Sequence, residues 1–157
     1  MTADPPVELA VPADAAAIAA MSRDLIETGL PWNWREGRVL RAIRQPDTNV
    51  AVVREDARIV GFGIMEYRDE HAYLSLLAID PAHRRRGAAR SLLRWLEASA
   101  RVAGVERIRL EARRDNAPAR VFYNEQGFHE VGITRDRYSD GIDGLVLEKW
   151  LRPRQSE

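Results

Sequence analysis

The polar and apolar positions of this chain change period several times, and each change marks an element. After a loose start, "VELAV" (residues 7–11) alternates as a strand does. Pro12-Ala13-Asp14 then opens an alanine-rich run of helical character, which Gly29 is placed to close. "LPWNWREG" reads as a loop. "GRVLRAIRQ" reads as a short amphipathic helix that stops before Pro46, because the residue preceding a proline is pushed out of the helical region. Three strands follow: "NVAVVRE", then "RIVGFGIMEYR" beyond a turn at Asp56-Ala57, then "AYLSLLAID" beyond a turn at Asp69-Glu70. The third is apolar on both faces from Leu74 to Ile79, as in a strand covered on both sides.

Helical spacing returns after Gly87. Ala89, Leu92 or Leu93, Leu96 and Ala100 form one stripe, while Arg86, Arg90, Arg94, Glu97 and Arg101 hold the opposite side, and Gly104 ends the run. "RIRLEARR" is a strand with Ile108, Leu110 and Ala112 on one face. Asn116 caps a further helix with Pro118 in its first turn and Gly127 at its end. "FHEVGITRDRY" and "GLVLEKWL" close the chain as a hairpin-like pair. This order predicts a mixed α/β (α+β) domain: one twisted mixed sheet of six or seven strands, flanked on both sides by about four helices. Its 157 residues suit a single domain over 1–157, with loose ends at 1–6 and 152–157.

Composition narrows the function classes. Lys+Arg and Asp+Glu both number 24, so bulk attraction to nucleic acid or to an acidic membrane is not expected. The absence of cysteine excludes disulfides, thiolate metal sites and a cysteine nucleophile. No apolar run approaches the ~20 residues that span a bilayer, and the acidic, proline-bearing N-terminus lacks the pattern of a signal peptide. A cytoplasmic location is the expectation. His71, His83 and His129 share no ligand spacing, so no metal site is expected.

"DPAHRRRGAARSLLRWL" (residues 80–96) holds the strongest chemical signal. A strand runs through Asp80-Pro81 into a helix beginning near Gly87. The first amides of a helix have no partners within it and lie at the positive end of its dipole, which suits an anion. Gly87, Ala88 and Ala89 let a pyrophosphate approach the backbone, and arginines add charge-assisted contacts. Two other readings stay open: an arginine-rich solvated helix start, or a nucleic-acid patch, the latter without the aromatic platform that single-strand binders use. Gly61-Phe62-Gly63 begins like a dinucleotide fingerprint, but Glu66 stands at the third glycine position and the glycines lie inside a strand.

The segment fits Arg/Gln-x-x-Gly-x-Gly/Ala through Arg84, Gly87 and Ala89, and with "LLAIDP" before it resembles the acyl-CoA motif of the GCN5-related N-acetyltransferases (GNAT). "LEARRDNAPARVFYNEQGF" is similar to a second segment of that superfamily, through Leu110, Glu111, Arg113, Asn116, Ala119, Tyr123, Gly127 and Phe128. The motif spacing is nearest to the ribosomal-protein N-terminal acetyltransferases. Ala88-Ala89 and Asp115 depart from the residues frequent in the family; Asp115 could instead cap the helix.

The resemblance implies that the strand before the cradle splays from its neighbour through a bulge. It further implies that Leu77, Ala78 and Ile79 bind the pantetheine arm of acetyl-CoA through their backbone. The pyrophosphate would then rest on residues Arg84, Arg85, Arg86, Gly87, Ala88, Ala89 and Arg90, with Asn116 and Ala119 beside the arm. Acetyl transfer to an amine needs a neutral amine, a polarised carbonyl and a proton for the departing thiolate. The resemblance makes Tyr123 the proton donor and Glu111 the base, acting through water. Residue patterns alone leave open, besides these roles, a Tyr123 ring packed on the sheet and a Glu111 paired with Arg109 and Arg113.

The acceptor expected is a primary amine of a small molecule or of a peptide or protein N-terminus, with neither nucleic acid nor membrane as a partner. Trp32 and Trp34 could line one wall of its site, with core packing the reading for at least one of them; Glu66, Asp69 and Glu70 could attract an ammonium. Homodimers are frequent in the family, and no residue here demands one. The rival function is a non-catalytic acyl-CoA-binding regulator or scaffold with the same fold.

Overall fold

The computed structural model describes residues 5–84 and 87–152. The elements run β1 (Val7–Leu9), α1 (Ala15–Leu25), α2 (Glu36–Arg44), β2 (Thr48–Glu55), β3 (Arg58–Tyr67), β4 (His71–Ile79), α3 (Ala88–Ala103), β5 (Arg107–Arg113), α4 (Ala117–Glu125), β6 (His129–Thr134) and β7 (Gly144–Trp150). Short 3₁₀ turns at Pro12–Asp14 and Pro81–His83 precede α1 and α3. The strands form one seven-stranded sheet in the order β1-β2-β3-β4-β5-β7-β6. Every neighbouring pair is antiparallel except β4 with β5. Among the described residues, no helix is long and apolar enough to cross a membrane.

Period-2 alternation gives the sheet two apolar faces, and each face is covered. Val50, Val52, Phe62, Ile64 and Leu76 pack with Ile18 of α1 and Val39 of α2 on one side. Met65, Leu74, Ile108, Leu110 and Leu147 pack with Leu92, Leu93 and Leu96 of α3 on the other. The Gly61-Phe62-Gly63 stretch belongs to this packing. A Cβ at Gly61 would stand 2.5 Å from Cδ1 of Ile79 on β4 and 3.3 Å from Cδ1 of Leu92 on α3, and one at Gly63 would stand 3.0 Å from Cδ1 of Leu96, so these glycines leave room for Ile79 and for α3 against the sheet.

The first helix departs from the expectation. It ends at Leu25, four residues before Gly29, because the amides of Ile26 and Glu27 both turn back onto the carbonyl of Ser22. Its entry is held by Asp14, which is 7 % exposed and accepts from Arg54 Nη1 at 2.9 Å, Arg54 Nη2 at 2.6 Å and the Val11 amide at 2.8 Å. The Arg54 hydrogen bonds hold the Asp14 carboxyl below its ordinary value, against the opposing effect of burial. A carboxyl with a depressed folded pKa contributes its full stability above its unfolded value, about 3.9, and loses it as pH falls through the folded value. Asp14→Asn should therefore cost about 1.5–3 kcal/mol at pH 7. The difference from the parent in urea unfolding should shrink progressively below about pH 4.

Candidate active site

The β4–β5 ladder pairs His71 with Arg107, Ala72 with Ile108 and Tyr73 with Arg109, and stops there. Beyond it β4 continues to Ile79 beside β3, and β5 continues to Arg113 beside β7. Ser75 is the reason the two separate. Ile64 faces Leu76 and Met65 faces Leu74, so Ser75 is an extra residue that bends β4 away. From Leu74 to Ile79 the fork-side edge of β4 has no ladder partner among the described residues. Leu77, Ala78 and Ile79 lie on this arm, Leu77 half-buried and the other two buried.

The arm ends at Asp80, whose carboxylate accepts from the Ala82 amide at 3.0 Å and from Arg58 at 2.9 Å, fixing the turn that follows. His83 adds a contact to Glu55 at 3.2 Å. Arg84 is exposed; Arg85 and Arg86 lie outside the described residues. Gly87 is the N-cap of α3 with φ +80°, a left-handed conformation that favours glycine, and no side chain caps the helix there. The first helical bond runs from the Ser91 amide to the Gly87 carbonyl, which leaves the Ala88 and Ala89 amides without an acceptor in the helix. Small residues and an uncapped helix start fit a phosphate group. Because β4 and β5 are parallel, the starts of α3 and α4 open on the same end of the sheet. Asn116 caps α4 by accepting from the Ala119 amide at 3.2 Å, whereas Asp115 meets Arg113 at 3.2 Å and is not the cap.

Glu111 sits one same-face step beyond the last β4–β5 pair, at the mouth of the fork. Its Oε2 accepts from Nε of Arg137 at 3.2 Å. The sequence suggested Arg109 and Arg113 as its partners; they go elsewhere, Arg109 to the buried Glu148 at 2.8 Å and Arg113 to Asp140 at 2.6 Å. Arg137 arrives from the loop between β6 and β7. Gly144 makes room for it, since a Cβ there would lie 2.9 Å from Glu111 Oε2 and 3.0 Å from Arg137 Cγ. Tyr73 and Tyr138 complete the cluster. Burial pushes the pKa of each up, with Glu111 acting in the same direction and Arg137 against it. Sequence reasoning missed Tyr73, Arg137 and Tyr138, because no local pattern reports a contact spanning 26 residues.

Tyr123 lies on the other face, 9 % exposed, with edge-on ring contacts to Phe122 at 5.2 Å and Phe128 at 5.5 Å. Burial alone raises its phenol pKa, so the hydroxyl stays protonated across the ordinary pH range. Asn116, by contrast, is exposed at the start of the same helix, so the seven-residue spacing does not give the two side chains one environment. Glu111 and Tyr123 lie on opposite faces of the sheet, Glu111 one step beyond the end of the β4–β5 ladder and Tyr123 in the core on the α3 side.

A fourth missed residue, Glu27, shapes the α1–α2 loop. Glu27, 8 % exposed, accepts from Ser22 Oγ at 2.9 Å, the Asn33 amide at 2.7 Å and the Trp34 amide at 3.3 Å. Trp34 is a core residue with the Arg38 guanidinium 3.8 Å above its ring, while Trp32 is half-buried between Arg23 and Arg35. Glu66 accepts from Ser75 Oγ at 2.5 Å, and Asp69 and Glu70 are exposed in the turn. Glu27→Ala strands these donors and should lower stability by about 2–3 kcal/mol in urea unfolding, with Glu27→Gln losing less.

A family model described as Acetyltransferase (GNAT) family matches residues 18–128. N-alpha-acetyltransferase RimI of Mycobacterium tuberculosis is 31% identical over 142 residues, 87% of each chain. The [ribosomal protein bS18]-alanine N-acetyltransferase of Escherichia coli K12 is 32% identical over 95 residues, 59% of this chain; the matched stretch spans 64% of that relative's length. The structure of yncA from Salmonella typhimurium with its cofactor acetyl-CoA superimposes with a TM-score of 0.81 at 20% identity, over 99% of this chain and 98% of the other, and shows the same fold.

Proposed function

Because the chain belongs to the GNAT acetyltransferase family, we propose that it transfers an acetyl group from acetyl-CoA directly to the primary amine at the N-terminus of a polypeptide, in the cytoplasm. The observation that carries this reading is the fork itself: a bulged β4 leads to an uncapped helix start, with Glu111 at the mouth and a buried Tyr123 behind. Leu77, Ala78 and Ile79 would hold a pantetheine arm by their backbone, and Gly87, Ala88 and Ala89 a pyrophosphate by their amides, with Arg84 adding charge. Acetyl-CoA, when bound, supplies a thioester open to attack by a neutral amine.

Glu111 takes a proton from the amine, directly or through water, and Arg137 fixes the orientation of its carboxylate. Tyr123 donates its proton toward the departing sulfur. The αL glycine start and the Arg84-x-x-Gly87-x-Ala89 spacing favour this over a solvated helix start. A catalytic role is favoured over a silent acyl-CoA scaffold by a carboxylate at the mouth of the fork together with a buried, protonated phenol on the other face of the sheet. The test is CoA release with peptides that differ only in a free or an acetyl-blocked N-terminus. Turnover confined to the free amine supports the reading, and equal background release from both refutes it.

A further inference from the structure

The arginines of this protein differ in how their charge is met. Arg54, Arg109, Arg113, Arg120 and Arg137 each meet a carboxylate within 3.2 Å. Arg35, Arg38, Arg41 and Arg44, at or within α2, are all exposed and meet no carboxylate among the described residues. Residues 35–48 carry these four arginines against only Glu36 and Asp47, in a chain whose total charge is balanced. A favourable helix dipole accounts for Arg41 and Arg44 in the last turn. It cannot account for Arg35, which is the N-cap at the positive end. Arg35 and Arg38 instead lie over indole rings, at 4.6 Å from Trp32 and 3.8 Å from Trp34. Stacking uses the face of a guanidinium and leaves its N–H fork for a planar anion.

This face adjoins the candidate active site. A cavity of about 190 Å³ lies between α2 and β3, lined by Arg38, Arg41, Trp34 and Glu66 among others. Glu66 pairs directly with Tyr73 across β3 and β4, and Tyr73 with Arg109 across β4 and β5, so one row crosses from the cavity to the strand of Glu111. The carboxylate of Glu66 is already engaged by Ser75. Two strand spacings are about 10 Å, and an extended peptide covers about 3.3–3.6 Å per residue.

We propose that the arginine face of α2 receives a carboxylate-rich stretch of the acceptor polypeptide, about three to six residues beyond the amine. This rests on the N-terminal acetyl-transfer reading above. A peptide is favoured over RNA because the basic surface is short, adjoins the amine's site and belongs to a chain of zero net charge.

The test measures kcat/KM for three peptides alike at positions one to three, with Glu, Gln or Lys at positions four to seven. The parent should prefer the Glu peptide to the Lys peptide by about tenfold or more, with the gap closing in high salt. Joint replacement Arg35→Glu, Arg38→Glu and Arg41→Glu should invert the order, and the corresponding three Arg→Lys changes should keep it, which separates charge from folding. Equal rates, or a preference for the Lys peptide in the parent, overturn the proposal. Inhibition of the Gln peptide by an RNA oligonucleotide, relieved in the Glu variant, reassigns the surface and overturns it as well. Turnover of none of the three peptides defeats the acetyl-transfer reading itself, an outcome distinct from equal turnover of all.

Discussion

Tyr123→Phe should lower kcat by about 10²–10⁴-fold, the usual worth of a positioned proton donor, while leaving the affinity for acetyl-CoA nearly unchanged. The reasoning is geometric before it is chemical. The ring lies among Phe122, Phe128 and the apolar residues beneath α3 and α4, so phenylalanine keeps the packing and removes only the hydroxyl. Burial holds that hydroxyl protonated, with its pKa above the ordinary value of about 10. The sign of the shift predicts the pH profile. The donor is present at every pH below its raised value, so the parent should show no alkaline fall assignable to Tyr123 up to about pH 10. Pre-steady-state measurement separates this from a binding effect. A variant that loses acetyl-CoA affinity in proportion to rate would mark Tyr123 as a packing residue only.

Glu111→Gln should reduce kcat/KM by about 10²–10³-fold at pH 7 with little change in melting temperature. Glutamine is nearly isosteric and still accepts from Arg137, so the loss isolates the carboxylate's capacity to take a proton. A peptide α-amino group titrates near 7.7–8.0, so raising the pH to 9 supplies neutral amine without help from the enzyme. The deficit of the variant should therefore narrow by about tenfold between pH 7 and pH 9. A deficit constant across that range would assign Glu111 to holding the β6–β7 loop through Arg137 and to nothing more.

The legible parts of this protein are those whose cause is local. The stripe Leu92, Leu93, Leu96 and Ala100 can only be a helix face, and it is buried as such. The alternation of Ile108, Leu110 and Ala112 leaves Glu111 on the opposite face of β5, where the structure has it. Gly87 followed by two alanines marks the start of α3, and its φ of +80° supplies the reason for glycine. Contacts between distant segments were hidden. Arg109 and Arg113 neighbour Glu111 in sequence, yet Glu148 and Asp140, brought by β7 and its preceding loop, take them, and Arg137 takes their place. Glu27 lies past the end of α1, where nothing in the sequence announces a buried carboxylate holding three donors. Gly29 gave a false helix end because the chain turned earlier, onto Ser22. The fork was foreseen through family resemblance; its local cause, the extra residue Ser75, is visible only once β3 and β4 are in register.

Thermal unfolding with and without acetyl-CoA tests the central claim most directly, in the parent and in Gly87→Glu. At one hundred times its dissociation constant the ligand should stabilise the parent by about 2.7 kcal/mol, a rise of about 5–10 °C for a chain of this size. Gly87→Glu strains a left-handed residue and puts a carboxylate where the anion would sit, so the ligand-induced shift, not the absolute melting temperature, is the quantity compared. A shift in the parent that vanishes in the variant is the predicted result. No shift in the parent at saturating ligand, or the same shift in both proteins, would contradict the fork and cradle as an acetyl-CoA site.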